Sequence, residues 1–443
     1  MGWSWAYLAV SVVGATFAFN AYRPSRSGPT SVFSFFGGWL TGELPLHHIF
    51  WQALATVGFG VLGAFGWWPG WVGLAVTLVS WVALVGLFNE ARRSKTVIEA
   101  ALAAIQGDPG THSEEPLDTA TMWRAWRLVF PIARPGRSFE VVRNVDYAGD
   151  GLKAHRLDVI RRRTDQPIAG PVMVYIHGGA WVIGDKREQG LPMLYELARR
   201  GWICVTINYR LSPKATWPDH IVDCKMAVAW VREHIGEYGG DPQFVAVSGG
   251  SAGGHLSALV ALTSGDPSLQ PGFEDRDTSV DACVPVYGVY DMTCQSAPEE
   301  LRRHVAVYNR GLLRLLERKV FKCTYDEDPA RFELASPLYR VHSGAPPFFV
   351  LHGVNDTLVP VDEARRFVTA LRETSGAPVA YAELPRAQHA FDVLVSVRPA
   401  HAVAGIVRFL EGIRRSSVSR DIDIGTEDGL GTVVRPDVPS HPG

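Results

Sequence analysis

Ser251 sits in the stretch VSGGSAGGHL, Val247 to Leu256, with Gly249 two residues before it and Gly253 two residues after. A serine hydroxyl becomes a useful nucleophile when a sharp strand-to-helix turn lifts it clear of its neighbours. The residues two before and two after then approach each other and must be nearly free of side chain. Gly249 and Gly253 meet that demand. The apolar run FVAV before the turn and the helix-like run after it supply the context that a lone G-x-S-x-G lacks. A glycine-rich structural turn is the alternative.

A nucleophile attacking an acyl group creates a negative oxygen that needs N–H donors at hydrogen-bonding distance. His177-Gly178-Gly179-Ala180-Trp181 follows the apolar run PVMVYI, some 70 residues before the serine. Its glycines let backbone amides turn inward. Gly178, Gly179 and the amide of Ala252 are the expected donors, each worth on the order of 3 kcal/mol in the transition state. The His177 ring is read as holding the loop and not as a chemical group.

The serine needs a base, and the base needs an orienting carboxylate. Asp356 follows PFFVLHG, in VNDTLVP, and His389 follows VAYAEL, in PRAQHAFDV. Both lie just past strand-like runs, in the chain order serine, acid, histidine. His255, one helical turn beyond Ser251, is expected to pack beneath the elbow. His352 precedes the acid, and His401 lies on the last helix. Asp362 and Asp392 are assigned to a helix cap and a loop.

The elements that must position these residues alternate. FEVVRNVDY and HRLDVIRR read as a leading pair of strands. Continuous apolar runs follow: PVMVYIH, WICVTINY, FVAVSGG, ACVPVYG, PFFVLHG and VAYAEL. Helix-like stretches separate them at 193–200, 221–238, 251–262, 362–372 and 400–413. Apolar strands alternating with helices predict an α/β fold with a mostly parallel sheet covered on both faces. Its site then lies outside the carboxyl ends of the strands. The catalytic region is 138–415, with a polar insertion at 293–341 that is a candidate cap.

Taken together, HGGAW, NYRLSP (Asn208 to Pro213), GGSAGGHL, HGVNDTLVP and QHAF resemble the α/β-hydrolase superfamily, in the hormone-sensitive-lipase-like esterase branch. The resemblance covers about residues 138–413. It implies Ser251 as nucleophile, His389 as base, Asp356 as its partner, and an oxyanion hole of Gly178, Gly179 and Ala252. There are departures. Gly250 stands where lipase-like members carry an acidic residue, Ala180 replaces a third glycine, and NDTLVP replaces a D-P-L-type motif. These details are closer to carboxylesterases of the feruloyl- and acetyl-esterase-like kind. No cofactor or metal is implied. A same-fold amidase or peptidase, and a non-catalytic membrane scaffold, are the alternatives to an esterase acting on small-molecule or lipid esters.

The N-terminal fifth has a different composition. Before residue 90 the only charged side chains are Arg23, Arg26 and Glu43. Three apolar runs, 3–22, 49–67 and 71–88, have about the length that crosses a bilayer as helix, with WPG, Trp68 to Gly70, read as a tight hairpin turn between the last two. Trp and Tyr cluster near their ends. The first run lacks a basic leader and a small-residue cleavage site, which argues against a signal peptide. The segment Ser31 to Leu40 is too short to span and is placed at the interface. Arg23 and Arg26 after the first run, and Arg92, Arg93 and Lys95 after the third, place the N-terminus outside and the catalytic region in the cytoplasm. The expectation is a multi-pass cell-membrane protein. A linker is expected at 90–137 and a disordered tail at 416–443. The net charge of −2 gives no sign of a nucleic-acid partner. Five scattered cysteines form no metal-like cluster with histidine and suit a reducing compartment.

Overall fold

The computed structural model describes residues 1–25, 30–105, 131–132, 136–164, 169–296, 299–300 and 306–427. Eight strands form one sheet in the order β1-β2-β4-β3-β5-β6-β7-β8. They are β1 Phe139–Asp146, β2 Arg156–Arg162, β3 Gly170–Ile176, β4 Ile203–Ile207, β5 Gly240–Gly250, β6 Ala282–Val286, β7 Phe348–Gly353 and β8 Val379–Leu384. β1 and β2 pair antiparallel, β2 joins β4 antiparallel, and the rest run parallel. Every apolar run expected to be a strand is one. The central strands β3, β4 and β6 are buried throughout, as two covered faces require.

Successive residues of β3 divide between two cores. Val172, Val174 and Ile176 point into one, and Met173 and Tyr175 into the other. Helices Asp219–His234, Ala252–Leu262 and Val361–Thr374 contribute to the first, and Leu191–Arg199 and Val397–Glu427 to the second. The last of these helices runs to Glu427, past Ser416, where a tail was expected to begin; residues 428–443 lie outside the description. The insertion at 293–341 holds helices Ala306–Leu315 and Pro329–Leu334. Leu316, Phe321, Phe332 and Ala335 are fully buried in the first core, so the described part of the insertion is packed onto the domain.

The N-terminal region is helical: α1 Gly2–Tyr22, α2 Thr30–Glu43, α3 Pro45–Val61 and α4 Trp68–Ala103. α1 and α4 are long and apolar enough to cross a bilayer. The expected span 49–67 is not one helix. α3 has 17 residues and ends at Val61, followed by Gly63 in the left-handed region and a 3-10 turn at Ala64–Gly66. The WPG motif read as the hairpin turn starts α4 instead. Pro69 occupies its first turn, where a missing amide costs no hydrogen bond.

The three long helices pack side by side. The Tyr7 hydroxyl meets Thr56 at 2.9 Å and Thr77 at 3.3 Å. Thr77 bonds Ser11, Gln52 bonds Ser80, and the Tyr22 hydroxyl bonds the Ala83 carbonyl at 2.8 Å. Early α1 thus meets late α3 and early α4, and the end of α1 meets the middle of α4. α1 and α4 run parallel and α3 runs against both.

The stretch from residue 90, expected to be a linker, begins as the continuation of α4. Ile98, Ala101 and Leu102 are buried in the second core of the sheet domain. A Cβ at Gly405 would lie 2.3 Å from the Ile98 Cγ2, so the glycine makes room for the Ile98 side chain where α4 crosses the last helix. The helix is shared by bundle and sheet domain.

Candidate active site

Ser251 is the residue between β5 and the helix Ala252–Leu262, with φ 59° and ψ −122°. A non-glycine residue held there stores backbone strain that the surroundings must enforce. Its amide donates to the Val286 carbonyl at 3.0 Å. The glycines show why no side chain is tolerated. A Cβ at Gly249 would lie 2.4 Å from the Gly253 carbonyl oxygen, and one at Gly253 would lie 2.0 Å from that of Ile176. Gly254 brings the helix against Gly288, where a Cβ would be 2.9 Å from the Gly288 Cα.

The HGG loop abuts the serine. A Cβ at Gly178 would lie 3.1 Å from the Ser251 Cβ. Of the expected donors, the Gly178 amide already donates to Gln189 Oε1 at 2.8 Å. Gln189 carried no motif signal in the sequence. Gly179 has φ +120°, a conformation open to glycine, and Ala180 follows at φ +53°. The buried His177 ring stacks on Tyr209 with centroids 4.5 Å apart and lies 2.7 Å from the Gly178 carbonyl. It is a structural piece of the loop.

Asp356 and His389 meet directly. His389 Nδ1 lies 2.7 Å from Asp356 Oδ2, and both residues are buried. The other carboxylate oxygen accepts the amides of Leu358 and Val359, each at 2.8 Å. Burial would raise the Asp356 carboxyl. His389 and His352, by charge and hydrogen bond, outweigh it and hold the group well below the usual carboxylate range.

Two of the competing histidines are occupied. His255 Nδ1 accepts from Trp181 Nε1 at 3.2 Å, so its Nε2 donates to the Ala335 carbonyl at 2.7 Å. Burial lowers its pKa to about 3, which makes it a neutral packing residue. His352 Nε2 lies 2.9 Å from the Val359 carbonyl and 3.4 Å from Asp356. Asp362 sits in the first turn of its helix and pairs with Arg365.

In the comparisons with known proteins, a BD-FAE family model matches residues 157–371. The probable carboxylic ester hydrolase LipM of Mycobacterium tuberculosis is 44% identical over 91% of the chain and 92% of its own length. The esterase LipQ of the same organism is 39% identical over 87% and 85%. The chain belongs to this family of carboxylic ester hydrolases, in the α/β-hydrolase superfamily. A crystal structure of esterase B from Lactobacillus rhamnosis, 20% identical, shares the fold over 74% of this chain and 98% of that one, with a TM-score of 0.50.

Within that family setting, Gly250 has a physical explanation. A Cβ there would fall 2.6 Å from the Tyr287 hydroxyl and 2.8 Å from its ring. The phenol takes the space that any side chain at position 250 would need. Tyr287 donates to Asp392, and its ring centroid lies 4.5 Å from that of His389. Burial raises the Asp392 carboxyl, against the lowering effect of the Tyr287 hydrogen bond. Asp392, assigned from sequence to a loop, is thus a half-buried partner of a tyrosine that touches both the residue before the nucleophile and the histidine. The signal in the sequence was the empty position 250 together with an acid three residues after His389.

Proposed function

We propose that the protein is a membrane-anchored serine carboxylesterase or lipase that hydrolyses acyl esters through Ser251, His389 and Asp356. The Ser251 Oγ attacks the ester carbonyl carbon while His389 takes its proton. The oxyanion is held by the amides of Gly179 and Ala252, and by that of Gly178 once Gln189 releases it. The intermediate collapses, His389 returns the proton to the leaving alcohol, and an acyl-enzyme remains. Water, deprotonated by His389, attacks the acyl-enzyme and releases the acid. Asp356 keeps the imidazole in one tautomer and stabilises the imidazolium. The observation that carries this reading is the His389–Asp356 hydrogen bond at the carboxyl edge of a sheet that presents Ser251 on a strained turn.

Three crossings by α1, α3 and α4 belong to the same proposal. Their parallel and antiparallel packing supports it. So does a bundle whose inner face is Ser11, Thr77 and Ser80 and whose outer face is Val57, Val79 and Val82. On this reading the N-terminus and the catalytic domain lie on opposite faces of the membrane, with the domain on the cytoplasmic side. Lipid esters in that leaflet are the substrate class.

Hydrolysis of p-nitrophenyl esters over a range of acyl lengths, by the full chain in detergent and in vesicles, tests the chemistry. Turnover that disappears in Ser251→Ala is expected. No turnover at any length, or undiminished turnover in that variant, overturns the reading. Protease digestion of intact cells tests sidedness: the C-terminal tail should be protected, and its cleavage from outside reverses the orientation.

A further inference from the structure

The two loops that carry the acid and the base are fastened to the N-terminal region. Asn355, the neighbour of Asp356, donates from Nδ2 to the Ala21 carbonyl at 3.0 Å. Ala390, the neighbour of His389, accepts from Trp39 Nε1 at 2.8 Å. Arg386 donates to the Tyr22 carbonyl at 3.2 Å, and its guanidinium lies 4.6 Å over the Tyr22 ring. At the far end of the histidine loop, Ser396 bonds Glu43 at 2.7 Å, and the fully buried Arg398 pairs with the same carboxylate. The Phe35 ring stands edge-on to the His389 ring, with centroids 6.2 Å apart. The imidazole therefore has Tyr287 of the sheet domain and Phe35 of α2 as its aromatic neighbours.

α2 has two faces. Phe35, Gly38, Thr41 and Glu43 are buried toward the catalytic loops. Val32, Phe33, Phe36 and Leu40 are exposed, Phe33 by 82%. A short helix with an apolar outer face, joined to α1 at one end and α3 at the other, suits the headgroup boundary of a bilayer.

We propose that α2 is a working part of the active site, with Phe35 and Trp39 as positioning residues that fix the His389 imidazole against Asp356. Under the membrane-anchored reading above, one helix thickness, about 10 Å, separates the base from the lipid. The ester that the site serves is then one that partitions into the bilayer surface. The proposal rests on His389 being the base. Geometry at a general base matters steeply, because a misplacement of about 1 Å costs roughly 10²-fold in rate. An aromatic edge contact to the ring and one indole hydrogen bond to the Ala390 carbonyl beside it hold the base from the membrane side, and water would replace them if α2 moved.

The test uses the full chain in detergent micelles with a short, water-soluble p-nitrophenyl ester, so that access through lipid plays no part. Phe35→Ala is expected to lower kcat by about 10²-fold while KM changes little. Phe35→Tyr, which keeps the ring, is expected to restore most of kcat. Trp39→Phe, which keeps the ring but removes the N–H, is expected to lower kcat by about two- to tenfold, the worth of one neutral hydrogen bond. Thermal unfolding establishes that each variant is folded. If Phe35→Ala does not fold, Trp39→Phe and Phe35→Tyr carry the test. Wild-type kcat in the folded variants, beside an inactive His389→Ala, overturns the positioning role. A KM rise with kcat unchanged overturns it equally, because α2 would then bind substrate and not hold the base. Undiminished turnover in His389→Ala is a different failure, that of the catalytic assignment itself.

Discussion

The sheet domain and the N-terminal bundle differ in what they bury and in what they expose. In the sheet domain Val172, Val174, Leu256 and Phe348 are fully buried. In the bundle Ser4, Ser11, Thr77 and Ser80 are buried beside Tyr7, Leu84 and Leu87, and many large apolar side chains face outward, Val82 with 74% exposure and Val79 with 70%. The first arrangement removes apolar surface from water. In the membrane setting proposed above, the second would gain little from that, and its inward polar groups bond one another across helices. Under the membrane-anchored proposal, the difference separates a part built for water from one built for lipid. It also isolates α2 and the end of α4 as the segments that answer to both.

Variants can sharpen or break this contrast. The largest effect should fall at the edge of the sheet. His389→Ala should lower kcat by on the order of 10⁶-fold without altering membrane attachment, measured by ester turnover in washed membranes. Gly253→Val comes next: its side chain would collide with the Ile176 backbone, so we expect no measurable turnover. A folded variant with wild-type turnover would remove the basis for the elbow. On the outside of the bundle, Val82→Arg should cost about 3 kcal/mol of insertion, seen as loss from the carbonate-washed membrane fraction. In a water-facing helix the same change would be nearly neutral, so unaltered fractionation contradicts the contrast. The smallest effect should be Thr77→Val inside the bundle, about 0.6 kcal/mol by unfolding in detergent. A gain in stability of several kcal/mol would instead show an ordinary apolar core.

Much of the catalytic domain was legible in the sequence because its signals are local. Beyond the leading pair, the strands are short apolar runs, most of them closed by glycine or proline, and Ser251, Asp356 and His389 each follow such a run. The elbow glycines announce themselves by spacing. What escaped depends on distant partners. Gly250 is conspicuous, but nothing near it points to Tyr287, which reaches it from the end of β6. Phe35 and Trp39 read as members of an apolar interfacial segment, and their contacts with His389 and Ala390 lie about 350 residues away in sequence. The boundary errors have local causes. Pro69 was read as a turn residue though it equally opens a helix. The third apolar run was ended at residue 88, ahead of Arg92, Arg93 and Lys95, whereas α4 continues through these charges and buries Ile98 and Leu102 in the second core.

The most direct test of the central claim is to map the adduct of a fluorophosphonate on the full-length protein by mass spectrometry. A single adduct on Ser251, lost in Ser251→Ala and strongly slowed in His389→Ala, is the predicted result. An adduct on any other residue, or labelling that persists in Ser251→Ala, would contradict the account.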